Sequence, residues 1–197
     1  MKAALIILVH ESVPCIVKTG RVDYISERES LAIYRQLLFH TRRITIDLDA
    51  DKFLFIKESS AKDHLWSPNV YIKRMQRGRS IGEIMRHAFE TVFSMGYTKV
   101  VMISSDSIET ETAHLTHAFD SLNNYDVVIG PAQEGCYYLL GMKKMHALLF
   151  RHKAWNTPDL IQQTLDDIAK LSLTYHLQQV LNDVEEEKEK YLYHHRQ

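Results

Sequence analysis

Two kinds of pattern alternate along this chain, namely short apolar runs and longer amphipathic segments. The amphipathic segments carry apolar residues at every third or fourth position, which is the period of a helix with one buried face. Strands that alternate with such helices predict an α/β domain with a mostly parallel central sheet flanked by helices. The predicted strands are Ala3–Val9, Phe53–Lys57, Val70–Gln76, Lys99–Ser104, Val127–Gly130, Tyr137–Met142 and Leu171–His176.

Two of the amphipathic segments begin with the spacing of a capping box, a Ser followed three residues later by a Glu. These pairs are Ser26 with Glu29 and Ser80 with Glu83, and they predict helices that run to about residue 40 and residue 95. Gly96 follows the second segment, at the position where a glycine favours the end of a helix. Further helices are predicted over residues 110–123, from the Thr157-Pro158 pair to residue 170, and over residues 185–193.

Length and charge narrow the class of protein. We expect the 197 residues to form a single domain over residues 1–197. The net charge of −1 gives no electrostatic reason to expect nucleic acid or an anionic membrane as a partner. The first apolar run, Ala3–Val9, is too short to span a bilayer and lacks a cleavage pattern, so we interpret it as a buried strand and expect a cytoplasmic location. Two cysteines are too few for a disulfide framework or a cysteine zinc site.

Residues able to support chemistry stand where predicted strands end. The fourth strand stops at Ser105 and Asp106, and the fifth runs into Glu134 and Gly135. In an open α/β sheet, ligands bind beyond the carboxyl ends of the strands. Asp106 therefore stands where a metal ion or a sugar hydroxyl could reach it. The same residue could instead cap the following helix, and the pattern alone leaves both roles open.

The loop after the first strand carries Lys18, Thr19 and Arg21. Basic side chains and free backbone N–H groups in such a loop could hold a phosphate. The loop lacks the glycines of a Walker motif and of a dinucleotide-binding motif, so a solvated basic loop is the alternative interpretation. The acidic residues beyond later strands could converge on a hard cation such as Mg²⁺ or Mn²⁺. Spacing in the sequence does not decide whether they do.

A series of motifs, taken in order, resembles the bacterial glycosyltransferase-like proteins of the GT-A (nucleotide-diphospho-sugar transferase) fold that are connected with arsenosugar biosynthesis. The resemblance covers nearly the whole chain. Its most specific piece is DVVIGPAQEGCYYLLG at Asp126–Gly141. The other matching pieces are VKT at 17–19, QRGRSIGEIM at 76–85, SSD at 104–106, AFDSL at 118–122, WNTP at 155–158 and NDVE at 182–185.

This resemblance implies a Rossmann-like GT-A domain that transfers a sugar from a nucleoside diphosphate sugar to an unidentified acceptor, with a divalent cation as cofactor. A Trp at a loop–helix junction is commonly a core residue, so a structural role in the core is the alternative interpretation of Trp155. The residues that the resemblance places in the site are Lys18, Thr19, Arg21 and Ser105 at the nucleotide and its phosphates, Asp106 and Glu134 in catalysis, Gly135, Tyr137 and Trp155 at the sugar and acceptor, and Asp106, Asp183 and Glu185 at the cation.

The chain departs from the family pattern at several positions, and five of them bear on whether activity is kept. The family has Gly, Arg, Pro, Gly and Asp where this chain has Cys15, Gly20, Ile108, Cys136 and Glu185. The missing Arg removes a bidentate phosphate contact that Lys does not reproduce. The resemblance places both cysteines in loops that face the ligand, and we expect them to approach each other as free thiols.

Two other functions therefore stay open. One is a nucleotidyltransferase of the same fold, although such enzymes usually carry a glycine-rich first loop and this loop has only Gly20. The other is a paralogue that binds its ligand without turnover, since fold does not fix function.

Overall fold

The computed structural model describes residues 2–9, 27–57, 65–105, 107–133, 136–155 and 157–181. Four α-helices and seven strands are built from these residues, together with one 3₁₀ turn at Ala147–Phe150. The strands are β1 (Ala3–Leu8), β2 (Asp51–Ile56), β3 (Tyr71–Met75), β4 (Lys99–Ser104), β5 (Val127–Pro131), β6 (Tyr137–Met142) and β7 (Tyr175–Leu177). The helices are α1 (Glu27–Thr45), α2 (Ile81–Ser94), α3 (Thr112–Ser121) and α4 (Asp159–Lys170).

The seven strands form one sheet in the order β3-β2-β1-β4-β6-β5-β7. Every neighbouring pair is parallel except the two that involve β6, which runs antiparallel to β4 and β5. The predicted α/β class with a mostly parallel sheet is therefore confirmed. Because β6 runs backwards, its first residue lies at the same edge of the sheet as the last residues of its neighbours.

Helices cover both faces of the sheet, and this explains why the central strands are apolar at nearly every position. Along β1, Ala4 and Ile6 lie in the layer that includes residues of α2 and α4. Leu5 and Ile7 lie in the opposite layer, which includes residues of α1 and α3. All four side chains are fully buried. The prediction of a buried first strand is confirmed.

The predicted ends of α2 are also confirmed. The Ser80 hydroxyl accepts a hydrogen bond from the Glu83 N–H at 3.3 Å. The Glu83 carboxylate accepts from the Arg79 N–H at 2.7 Å, one residue further back than in a standard capping box. At the other end, Gly96 adopts a φ of +84°, a conformation that glycine reaches without strain.

Several predicted boundaries differ from the structure, most of them by one or two residues. Three of the differences have a clear local reason. Helix α1 continues past residue 40 to Thr45, because Thr41 and Thr45 are buried and donate their hydroxyls to carbonyls four residues earlier, at 2.9 and 2.7 Å. Helix α4 has Pro158 at its N-cap, while the Thr157 hydroxyl donates to the Ala154 carbonyl.

Strand β7 is the third case. It begins at Tyr175, because the chain first turns after α4 with Ser172 at a φ of +53°. The helix predicted over residues 185–193 lies outside the described residues.

No described helix has both the length and the apolar content needed to cross a bilayer.

Candidate functional site

The ends of β1 and β4 lie side by side at what we call the carboxyl edge, the edge of the sheet where β1, β2, β4 and β5 end. Leu8 pairs in register with Ser104, and the Ser105 N–H donates to the Leu8 carbonyl at 3.0 Å. The Val9 N–H continues the ladder by donating to the Phe55 carbonyl at 3.0 Å. The segment that contains Lys18, Thr19 and Arg21 follows from β1, and position 106 follows from β4. These four residues lie outside the described part of the chain.

The chain is fixed on both sides of position 106. Ser105 and Ser107 are both buried. The Ser107 hydroxyl accepts from the Thr110 N–H at 3.3 Å and from the Thr110 hydroxyl at 2.8 Å, which closes a tight turn. The His40 Nε2–H donates to the Thr110 carbonyl at 2.8 Å and anchors this turn to α1. Rigid flanks of this kind are what a residue that must hold a precise position requires.

The alternative role of Asp106 as the cap of the next helix is wrong. The N-cap of α3 is Glu111, five residues further along. The Glu111 backbone N–H donates to His114 Nδ1 at 2.9 Å, so a side chain of α3 itself provides the acceptor for this N–H.

Strands β5 and β6 are joined at the same edge, where the sequence carries a second group of predicted residues. The Ala132 N–H donates to the Cys136 carbonyl at 2.8 Å and closes the turn. Glu134 and Gly135 lie between these residues in sequence and outside the described part of the chain. Cys136 is a cysteine of intermediate exposure. Its predicted approach to Cys15 stays a prediction, because Cys15 is not among the described residues.

The chain also reaches this edge after β7. The Leu181 N–H donates to the Pro131 carbonyl at 3.1 Å, and the Gln133 N–H donates to the Leu181 carbonyl at 3.0 Å. Asp183 and Glu185 follow within four residues and lie outside the described part of the chain. The structure thus places the starting points of all four predicted segments at one edge of the sheet.

Tyr137 and Trp155 are brought together behind this edge. Their ring centroids are 6.3 Å apart at an interplanar angle of 80°. The Tyr137 hydroxyl is buried and has no hydrogen-bond partner among the described residues. Its burial raises the pKa of Tyr137, and the nearby Cys136 adds to this rise. The Trp155 ring packs tightly against Gly82 of α2, because a Cβ atom added to Gly82 would lie 2.6 Å from the indole.

A buried ion pair fixes the segment that carries Trp155. Lys153, with 1% of its side chain exposed, donates to Asp167 Oδ2 at 2.5 Å and to the Gln163 carbonyl at 2.7 Å. Burial alone would raise the pKa of Asp167, but the hydrogen bonds from Lys153 and Lys170 outweigh it and hold that pKa below its usual value. The carboxylate therefore stays ionised and keeps the segment on α4.

Sequence reasoning missed two glutamines that tie the strand ends together. Gln76 donates its side-chain amide to the carbonyls of Val9 and Phe55, both at 2.8 Å. Gln178 donates to the His114 carbonyl at 2.9 Å and accepts from the Tyr138 hydroxyl at 3.0 Å. The sequence does show a glutamine directly after each of the strands β3 and β7. At the end of a strand, backbone carbonyls and N–H groups need hydrogen-bond partners, and a long amide side chain can provide them.

The described residues do not by themselves form a metal site. Within the ranges given above, no cluster of three or more His, Cys, Asp or Glu side chains is placed to hold an ion. The three predicted cation ligands all lie outside those ranges, so their role stays a prediction.

Comparison with known proteins agrees with this architecture. A family model described as "Uncharacterized protein conserved in bacteria (DUF2064)" matches residues 41–157. No curated protein matches the chain in sequence. Among solved structures, a Desulfovibrio desulfuricans G20 protein with the provisional assignment of nucleotide-diphospho-sugar transferase is 25% identical. That match covers 93% of this chain and 82% of the other, with a TM-score of 0.80.

Two more distant structures share the fold alone. A CMP:2-keto-3-deoxy-manno-octonic acid synthetase complexed with CTP is 8% identical, with a TM-score of 0.56 over 92% of this chain and 90% of the other. A 4-diphosphocytidyl-2C-methyl-D-erythritol synthase is 14% identical, with a TM-score of 0.54 over 92% of this chain and 89% of the other. The fold is therefore one used by nucleotide-diphospho-sugar transferases and by enzymes that handle cytidine nucleotides.

Proposed function

We propose that this chain, which belongs to the DUF2064 family of uncharacterized proteins conserved in bacteria, is a glycosyltransferase whose donor is a nucleoside diphosphate sugar. One observation carries the proposal. The segments with the predicted phosphate, catalytic and cation residues all start from the carboxyl edge of one sheet. Ligands of open α/β sheets bind at that edge. The structure that is 25% identical and carries a nucleotide-diphospho-sugar transferase assignment supports the same class of donor.

On this proposal, Lys18, Thr19, Arg21 and Ser105 hold the nucleotide and its phosphates. Asp106 and Glu134 act on the reacting sugar, and Gly135, Tyr137 and Trp155 shape the sugar and acceptor side. For Tyr137 and Trp155 the observed contacts support a positioning role, because their rings pack against each other and against α2. The connection with arsenosugar chemistry rests on the resemblance in sequence alone.

A divalent cation held by Asp106 with Asp183 or Glu185 fits the spacing of the sheet. Strands about 4.8 Å apart place the end of β4 about 10 Å from the end of β5, with Leu181 about one spacing further out. At about 3.3 Å per residue, the chain segments that carry the carboxylates are long enough to reach across that gap. Carboxylate oxygens are the ligands that Mg²⁺ and Mn²⁺ prefer. Such an ion would offset the charge on the departing diphosphate.

Binding is the first test of the proposal. A nucleoside diphosphate with Mn²⁺, at about one hundred times its dissociation constant, is expected to raise the melting temperature by about 5–10 °C. Asp106→Asn is expected to abolish the part of this shift that depends on Mn²⁺. Asp120→Asn, which changes an exposed carboxylate on α3, serves as the matched control and is expected to keep it. The absence of any shift with millimolar nucleotide and metal would contradict the proposal.

Turnover then separates the three functions. Release of a nucleoside diphosphate from a sugar nucleotide supports sugar transfer, and Asp106→Asn is expected to slow it by about a hundredfold or more. Release of pyrophosphate from a nucleoside triphosphate and a sugar phosphate would instead show nucleotidyl transfer. Binding without either product, across a panel of donors, would show a binding protein.

A further inference from the structure

Strand β7 is one of the two outer strands of the sheet, and the backbone groups on its outer side are open. The Gln178 N–H donates to the Ile129 carbonyl at 2.9 Å, which fixes how β7 is bonded to β5. In a parallel pair, alternate residues of a strand bond to the neighbouring strand. The N–H and C=O groups of His176 therefore face β5, while those of Tyr175 and Leu177 point away from it. Among the described residues, none bonds to these outward groups.

The side chains along this edge are apolar and uncharged. Tyr175 and Leu177 are 42% and 41% exposed. They lie on the face of the sheet that includes α4, because their partners in β5 belong to that layer. Residues 171–181 read LSLTYHLQQVL and include no Asp, Glu, Lys, Arg, Gly or Pro. Charged side chains and proline are means by which a sheet keeps its edge strands from pairing with another chain, and β7 has neither.

The other outer strand, β3, does carry this protection. Its sequence is YIKRM, so it has two adjacent basic residues, Lys73 and Arg74. Arg74 is exposed. A second copy of β3 would bring these cations close to like charges. The contrast between the two edges indicates that β7, rather than β3, is the edge that accepts a further strand.

β7 is also held in an extended form before any partner binds. At its start, the Asp126 carboxylate accepts from the Thr174 N–H at 3.0 Å. In its middle, the His176 ring packs edge-on against the His117 ring of α3, with centroids 5.1 Å apart at 83°. Because the strand is already ordered, pairing with another strand costs less conformational entropy.

We propose that β7 is a dimer interface, at which it pairs antiparallel with β7 of a second copy of this chain. A two-fold axis beside His176 sets Tyr175 opposite Leu177 of the partner subunit. In that register these two residues exchange both of their backbone hydrogen bonds, and the outward groups of both copies are all satisfied. Their side chains lie directly opposite on one face and cover each other's apolar surface. Antiparallel pairing points the two carboxyl edges in opposite directions, so the interface leaves the proposed donor sites open and does not depend on them.

The occupant of this edge is a second copy because the edge matches itself. An uncharged strand that pairs with its own copy brings no like charges together. The segment nearest in sequence, residues 182–197, is a poorer match, since half of its residues are Asp, Glu, Lys or Arg and its pattern predicts a helix. The Leu181 N–H donates to the Pro131 carbonyl at 3.1 Å, so the chain leaves β7 along β5 rather than around the outer side.

Sedimentation velocity of the full chain over a range of concentrations tests the proposal. The wild type is expected to pass from monomer to dimer as the concentration rises. The double variant Tyr175→Lys, Leu177→Lys places lysines opposite lysines and is expected to raise the dimer dissociation constant by about tenfold or more. Ile72→Lys is the matched control, because Ile72 is an apolar residue of the other outer strand with 37% exposure, and it is expected to leave the constant unchanged.

Two further measurements test the backbone pairing itself. Leu177→Pro removes an outward N–H but no bond to β5, so it is expected to weaken the dimer while the fold is kept. In the wild type, the Tyr175 and Leu177 amides are expected to exchange their hydrogens about tenfold more slowly in the dimer than in the monomer. The Met75 amide, which points outward from β3, is the internal control and is expected to exchange at the same rate in both.

Three results would overturn the proposal. A chain that stays monomeric up to about 1 mM has no such interface. A dimer that resists both the lysine and the proline variants, with melting curves showing that each is folded, pairs through another surface. Slow exchange of the Tyr175 and Leu177 amides at every concentration, the most dilute included, would mean that residues 182–197 or another segment of the same chain covers the edge.

Discussion

At the scale of single residues, the pair formed by Lys153 and Asp167 shows how burial decides the strength of an interaction. The same carboxylate accepts from a buried lysine and from an exposed one, since Lys170 Nζ lies 2.8 Å from Asp167 Oδ1 with 67% of its side chain exposed. Water screens the attraction between Lys170 and Asp167, so this exposed pair contributes little to stability. Lys153 is buried, so its charge depends on Asp167 rather than on water. The two lysines therefore form an internal comparison on one carboxylate.

We expect Lys153→Met to lower the free energy of unfolding by about 3 kcal/mol, because removing one partner of a buried pair leaves the other poorly satisfied. Lys170→Met is expected to cost much less, because water screens this exposed pair. Chemical denaturation of both variants checks the difference. Equal losses would mean that the ion pair does not hold the Trp155 segment as described.

At the scale of elements, the strands that the sequence predicted well are those buried on both faces. β4 and β6 have the predicted bounds, because a run of apolar residues between two helical layers leaves few alternatives. β7 was misplaced, because Tyr175 and Leu177 lie at an exposed edge where the apolar pattern is weak. The end of α1 was missed, because threonines usually disfavour helices unless their hydroxyls find backbone acceptors, as they do here.

The contact between α2 and the Trp155 segment gives a prediction at this scale. In an exposed helix, Gly→Ala is stabilising, because glycine has the more flexible unfolded chain. We expect Gly82→Ala to destabilise the protein by about 1–3 kcal/mol, because the added methyl group would overlap the indole. The double variant with Trp155→Phe is expected to recover part of the loss. A rise in melting temperature for Gly82→Ala alone would contradict this packing.

The attachment of β7 to β5 gives a second prediction at this scale. Asp126 accepts from the Thr174 N–H at 3.0 Å and from the Thr174 hydroxyl at 2.8 Å. The backbone bond first, then the hydroxyl, lowers the pKa of Asp126 to about 2, and Lys143 contributes further. The folded-state pKa lies below that of the unfolded chain, so the stabilisation is complete above about pH 4 and is lost as the pH falls towards 2.

We expect Asp126→Asn to lower stability by about 1 kcal/mol at pH 7, a modest value because the carboxylate is about one-third exposed. The difference from the wild type is expected to vanish between about pH 4 and pH 2. Urea denaturation across this range measures it, with Asp120→Asn as the control. A stability difference between the variant and the wild type that grew as the pH fell would contradict this prediction.

At the scale of the whole molecule, the sequence could predict which chain segments meet but not how they are held. Strand ends and acidic residues are visible in the sequence, and a parallel sheet brings them to one edge. The ties made by Gln76 and Gln178 join residues up to 67 positions apart, and no local pattern indicates such partners.

The reversed direction of β6 has a consequence for what this protein can tolerate. Tyr137 and Tyr138 face opposite layers of the molecule, one beside Trp155 and the other donating to Gln178. Because side chains alternate along a strand, inserting or deleting one residue in the loop before Tyr137 would exchange these two faces. Loop length is therefore constrained here as strictly as residue identity, and homologues should vary this loop in composition rather than in number of residues.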